Sequence, residues 1–192
     1  MKKISITIIT SFPFPDGKAT ANRIEIFANE MAKERFIKKV NIISFSLKNS
    51  KTNNKNNKIR IIYEKLKKIN KVSILKRIVQ EIYLSFKIWN TAKTLKNNYI
   101  IITIPSIFLL LPKLFIKTKS DVIVDIRDFQ WEYFSNYFLK NIIKLFIRAA
   151  IKDSKLVMVT NQSESKLLKS SFNIDPIIVA NGISLKKFEN YK

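Results

Sequence analysis

The chain has 192 residues, the size of one ordinary domain, and 46% of them are hydrophobic, which is enough for a core and excludes global disorder. It holds neither Cys nor His, so a disulfide framework, a thiolate nucleophile and a Cys/His zinc site are all excluded. Its 36 Lys and Arg against 14 Asp and Glu give a net charge of +22, which draws it toward polyanions such as nucleic acid, anionic lipid or phosphorylated substrates; a general bias toward Lys, Ile and Asn explains the same excess.

The first apolar run, "ISITIIT", predicts a strand over 4–10. "DGKATANRI" follows at 16–24 and contains Gly17, one of only 2 glycines in the chain. A glycine where a strand turns into a helix permits positive φ and removes the Cβ that would block a phosphate; a plain turn accounts for it as well. A helix is predicted over 20–36, with Thr20 or Asn22 as its cap and Lys18 and Arg23 adding charge at its start. The "MKK" start runs into this unit without a small-residue cleavage site, so no signal peptide is expected and the chain is assigned to the cytoplasm.

A second strand is predicted at 39–45, then a polar Asn/Lys-rich loop at 46–58, a strand at 59–63 and a helix at 72–97. Residues 58–77 form a basic cluster with apolar residues interleaved. The most membrane-like stretch, 99–116, is interrupted by Pro105, Ser106 and Lys113, and reads as a buried strand at 99–104, a turn and a helix at 106–117. Strands at 121–126, 156–160 and 176–180 alternate with helices at 130–151 and 162–172. Lys140, Lys144, Arg148 and Lys152 recur every four residues and make one cationic stripe, with Phe138, Ile142, Leu145, Phe146 and Ala149 mostly away from it. Such a helix lies on anionic lipid, or packs its apolar side on a sheet and leaves its lysines solvated, or does both.

Strand–helix alternation with continuous β-branched runs predicts an α/β fold: a doubly wound, mainly parallel sheet with helices on both faces. In such sheets ligands gather at the carboxyl ends of the strands. Asp125, Arg127 and Asp128 stand at one such end, where carboxylates accept hydrogen bonds from hydroxyls and Arg127 pairs with a phosphate. The alternative there is an internal Arg–Asp ion pair that fixes the turn. Asn161 and Ser163 form a polar turn that either faces the cleft or caps the following helix; the cap is preferred, and one residue can serve both ends.

Three segments resemble family 4 glycosyltransferases of the GT-B fold. "SFPFPDGKATANRIEIFANEMAKERFIKKVNIISFS" is similar to their opening, with Pro13, Pro15, Gly17, Ala19, Asn22 and Arg23 filling the pattern. "DVIVDIRDFQWEYF" is similar to their strand ending in an acidic–basic turn, through Asp125, Arg127, Asp128, Trp131 and Glu132. "SKLVMVTNQSESKLLKSSFNIDPIIVANGISLKKF" resembles the stretch that closes their first domain, through Asn161, Ser163, Asn181, Gly182 and Phe188.

The resemblance implies a Rossmann-like N-terminal, acceptor-side domain over 1–183, the start of an interdomain linker at 184–192, and a donor-binding second domain that this sequence does not contain. It implies Gly17, Lys18, Arg23, Asp125, Arg127, Asp128, Asn161 and Ser163 as substrate-binding residues, with catalytic residues unassigned. The co-substrate would be a nucleotide-diphosphate sugar used without a metal, and no cofactor would be tightly bound. The partners would be a lipid-linked or saccharide acceptor, an anionic membrane surface at the inner face touched by the basic stripe, and, if the chain is one subunit of a split enzyme rather than a truncated gene or a fragment, a separate donor-binding subunit. Many relatives carry a His near the place of Arg127, and this chain has none. The competing readings are a noncatalytic remnant that docks on a membrane or partner, and a basic nucleic-acid-binding module. The latter is disfavoured because basic residues are spread throughout and no recognition motif is present.

Overall fold

A computed structural model describes residues 3–11, 13–15, 19–46, 56–65, 73–104 and 106–181. Gly17, Lys18, Gly182 and Phe188 lie outside these residues, as do most of the Asn/Lys-rich loop, the middle of the basic cluster at 58–77 and the expected linker.

The strands are β1 (Ile4–Thr10), β2 (Ile37–Ser46), β3 (Ile59–Lys65), β4 (Tyr99–Ile104), β5 (Asp121–Ile126), β6 (Leu156–Val159) and β7 (Ile177–Ile178). They form one sheet in the order β3-β2-β1-β4-β5-β6-β7, and every pairing is parallel. Consecutive isoleucines in β1, Ile8 and Ile9, are both fully buried, which is why the strand reads as a continuous apolar run: each face of the sheet is covered.

The helices are α1 (Ala19–Lys33), α2 (Ile74–Thr94), α3 (Leu111–Phe115), α4 (Tyr137–Lys152) and α5 (Gln162–Phe172). On one face α1 brings Ala21, Ile24 and Ala28 against Ile6, Ile8, Ile42 and Ile101. On the other, α2, α4 and α5 bring Ile88, Trp89, Ile147, Leu168 and Phe172 against Ile9, Ile43, Ile102, Val124 and Ile126. Trp89 donates its indole N–H to the Leu109 carbonyl at 2.8 Å, so its one polar atom is satisfied within the core.

Three local expectations change. Helix α1 begins at Ala19, ahead of Thr20 and Asn22, so neither stands at its cap position. The region 106–117 divides into a 3₁₀ turn at Ile107–Leu110 and the short α3. The helix expected over 130–151 is a 3₁₀ turn at Gln130–Tyr133, a break, and then α4. Asn136 makes the break: its side chain accepts from the Leu139 N–H at 3.0 Å and starts a new helix there.

The strand order reverses between β1 and β4, both of which run into loops at the same rim. In an open parallel sheet this reversal opens a crevice outside the carboxyl ends of the strands.

Candidate functional site

The carboxyl rim is built around an ion pair between elements far apart in sequence. Arg23, in the second turn of α1, donates from Nη2 to Asp125 Oδ1 at 2.9 Å and from Nε to Asp125 Oδ2 at 3.3 Å. Its Nη1 donates to the Ala180 carbonyl and to Asn181 Oδ1, both at 3.1 Å, so the same guanidinium fastens the chain leaving β7. Arg23 is 4% exposed and Asp125 is 0% exposed, which makes the fork a buried, two-pronged contact rather than a surface pair. The Phe27 ring lies under the guanidinium, with its centroid 4.5 Å from Cζ.

A polar row runs beneath this fork. Thr10 at the end of β1 is in register with Thr103 of β4, and Thr103 is in register with Asp125 of β5. All three are buried, and Thr103 Oγ1 has no hydrogen-bond partner. Sequence reading missed Thr10 and Thr103. The available signal was a threonine interrupting an isoleucine run at a strand's carboxyl end.

Arg127 follows β5 and is half-buried. Its Nε and Nη1 are buried and have no hydrogen-bond partner. Burial lowers its pKa from the ordinary arginine value; the charge of Asp125 acts the other way, that of Arg23 adds to the lowering, and that of Glu164 opposes it. The internal Arg–Asp pair expected as an alternative therefore exists, but Asp125 takes Arg23 as its partner and not its neighbour in sequence. Asp128, next along, accepts a hydrogen bond from the exposed Tyr133; the charge of Asp128, then that bond, raises the phenol's pKa.

At the end of β6, Asn161 caps α5: its Oδ1 accepts from the Glu164 N–H at 2.9 Å. Glu164 reaches back, and its Oε2 accepts from Thr160 N at 2.8 Å and Thr160 Oγ1 at 2.7 Å, a variant of the reciprocal capping box. Ser163 lies exposed in the first turn. Arg23, Asp125, Arg127 and Asn161 are thus all placed at the carboxyl rim; Gly17 and Lys18 lie outside the described residues. Among the described residues no group of three or more acidic side chains is placed to hold a metal ion.

The basic stripe of α4 is divided. Lys140 and Lys144 both contact Glu132, at 2.5 and 2.8 Å, while Arg148 and Lys152 are exposed. The buried side of the helix is Ile143, Ile147, Ala150 and Ile151. Phe138, Ile142 and Leu145, from the side expected to pack on the sheet, are exposed at 75%, 46% and 66%, and Tyr133 and Tyr137 beside them are exposed as well. The helix carries two apolar arcs, and the sheet has room for one. No helix among the described residues is long and apolar enough to cross a membrane.

The sequence matches no protein-family model and no curated protein. Solved structures do share the fold. Sucrose-phosphate synthase from Thermosynechococcus elongatus aligns with 96% of this chain and 49% of its own, at 9% identity and a TM-score of 0.73. A UGT transferase from Siraitia grosvenorii in complex with UDP aligns with 95% of this chain and 52% of its own, at 12% identity and a TM-score of 0.52. Phytolacca americana UGT2, complexed with UDP-2fluoro-glucose and pterostilbene, aligns with 94% of this chain and 54% of its own, at 8% identity and a TM-score of 0.56. The chain spans about half the length of these glycosyltransferases, and its fold is Rossmann-like as in GT-B enzymes.

Proposed function

We propose that this chain is the acceptor-side half of a retaining glycosyltransferase that uses a nucleotide-diphosphate sugar, without a metal, to build cell-surface polysaccharide or glycolipid. The observation that carries this reading is the meeting of α1 and the end of β5 at one carboxyl rim of an all-parallel sheet, through the Arg23–Asp125 fork. Arg23 and Asp125 act as positioning residues: they fix the start of α1, the turn after β5 and the chain after β7 relative to one another. Arg127, Asp128 and the polar turn at Asn161 and Ser163 face the acceptor in this reading, with Gly17 and Lys18 supplied by the loop before α1.

The donor nucleotide is held by a second domain or subunit, which also stabilises the charge on the leaving diphosphate, so the chain alone turns over nothing. The test is to mix the purified chain with a candidate donor-binding domain, chosen for a Gly-Lys turn and two spaced glutamates. Sugar transfer from a nucleotide-diphosphate donor is expected only from the pair. No transfer with the correct partner present counts against the reading.

A second reading has its own observation, the exposed apolar arc of α4. It is a noncatalytic domain that docks on an anionic membrane face through Phe138, Ile142 and Leu145, with Arg148 and Lys152 beside them. Membrane docking also suits the first reading if the acceptor is lipid-linked. Vesicle binding without transfer by any pair favours the second.

A further inference from the structure

We propose that Arg127 is the seat of an oxyanion, a phosphate, diphosphate or carboxylate carried by the substrate, at the carboxyl rim. The inference rests on the glycosyltransferase reading for its context and adds the charge class of the ligand to it.

A guanidinium has five N–H donors, no acceptor and no accessible neutral form, so a buried one must be given acceptors or cost the fold stability. Arg127 has two buried nitrogens, Nε and Nη1, with none. Two carboxylates are near enough to bias its charge, those of Asp125 and Glu164. Both already have other partners. Each oxygen of Asp125 accepts from Arg23, and Glu164 Oε2 accepts twice from Thr160.

The consequence is a cation placed at a strand end and held apart from its nearest anions by their own better partners. Arg23 neutralises Asp125, so the positive charge of Arg127 is not cancelled by the acid two residues before it. Arg127 as a whole residue is only half-buried, so it is not sealed off from solvent. A neutral sugar offers hydroxyls, but an anion adds the attraction of opposite charges, and the planar guanidinium fork matches phosphate and carboxylate with two parallel hydrogen bonds.

The experiment is calorimetric titration of the full chain with pyrophosphate, UDP, glucose 6-phosphate, glucuronate and, as the neutral control, glucose. It is run on the wild type, Arg127→Met, Arg127→Lys and Arg60→Gln, the last removing an exposed charge on β3. At least one anion is expected to bind the wild type and Arg60→Gln alike, to bind Arg127→Met at least tenfold more weakly, and to be only partly restored by Arg127→Lys. Dependence confined to pyrophosphate and UDP assigns the anion to the donor diphosphate; dependence confined to glucose 6-phosphate or glucuronate assigns it to the acceptor.

Melting without ligand supplies the second readout. Arg127→Met should melt at the wild-type temperature or above it, because the variant removes an unpaired buried charge. Anion binding equal in all four proteins, or absent from the wild type, overturns the proposal. So does an Arg127→Met variant that melts lower and binds as the wild type does, since Arg127 would then be structural. Sugar transfer by the reconstituted pair with no Arg127-dependent anion binding overturns this inference alone, and binding without transfer overturns the transferase reading alone.

Discussion

Arg23 and Asp125 show how much one contact can carry at the scale of a residue. Each alone would be a charge out of water; together they form a fork whose third nitrogen also holds the exit from β7. Removing one partner of such a pair leaves the other unpaired, at a cost of about 3–5 kcal/mol. Asp125→Ala is therefore expected to lower the unfolding free energy by that amount, read as a lower urea midpoint at unchanged slope, and a loss like that of a surface residue, under about 0.5 kcal/mol, would contradict the geometry. This pairing was not legible in the sequence. The partners are 102 residues apart, and each read separately as a ligand contact at a strand-end loop. The nearer Arg127 offered a more obvious partner, and only the position of α1 on the sheet decides between them.

Glu132 provides a pH-dependent contact of the same kind. Burial works to raise its pKa and is outweighed by the hydrogen bonds and charges of Lys140 and Lys144, which hold it below the ordinary glutamate value of 4.5. A carboxyl depressed in the fold stabilises it fully above its unfolded value, and that contribution drains away as pH falls through the folded one. Wild type should therefore melt above Glu132→Gln at neutral pH, and the gap should close as the solution is acidified below 4.5. A gap that widens in acid would reverse the assigned sign.

Among the elements, α5 and α4 mark where local sequence suffices and where it does not. The range expected for α5 is the range observed, because both ends are written locally: Asn161 caps the start, and Asn173 takes the left-handed conformation (φ 56°) that ends it. The strands were legible for a related reason, since runs such as "YIIITI" are buried on both faces and need no alternation. For α4 the spacing of apolar residues was ambiguous. Two arcs have helical periodicity, and burial selects Ile143, Ile147, Ala150 and Ile151 over Phe138, Ile142 and Leu145. The break before it was hidden because Asn136 sits among apolar and aromatic residues that continue the pattern. The two arcs predict opposite outcomes for the same chemistry. Phe138→Asp with Leu145→Asp should leave the urea midpoint almost unchanged and abolish co-sedimentation with vesicles rich in phosphatidylserine. Ile147→Asp should fail to fold, because it places a carboxylate in the core without a partner. Equal vesicle binding by the first variant and wild type would remove the apolar arc as a docking surface.

At the scale of the whole molecule, charge is the dominant fact, and it separates general attraction from specific surface. Even if each of the 14 acids neutralised one base, 22 cations would remain. Their mutual repulsion opposes the compact state and is screened beyond about 8 Å at physiological ionic strength, so added sodium chloride should raise the melting temperature. The same screening weakens attraction to any polyanion. For duplex DNA, where contacts would be to phosphates alone, affinity should fall with salt along a steep straight line in logarithmic axes. For anionic vesicles the fall should be shallower and should end in a plateau, because apolar burial by Phe138, Ile142 and Leu145 is not screened. Replacing those three side chains should turn the vesicle curve into one that falls without a plateau. Parallel steep lines for DNA and vesicles in the wild type would mean that charge alone governs both, and the exposed arc of α4 would then need a protein partner to cover it.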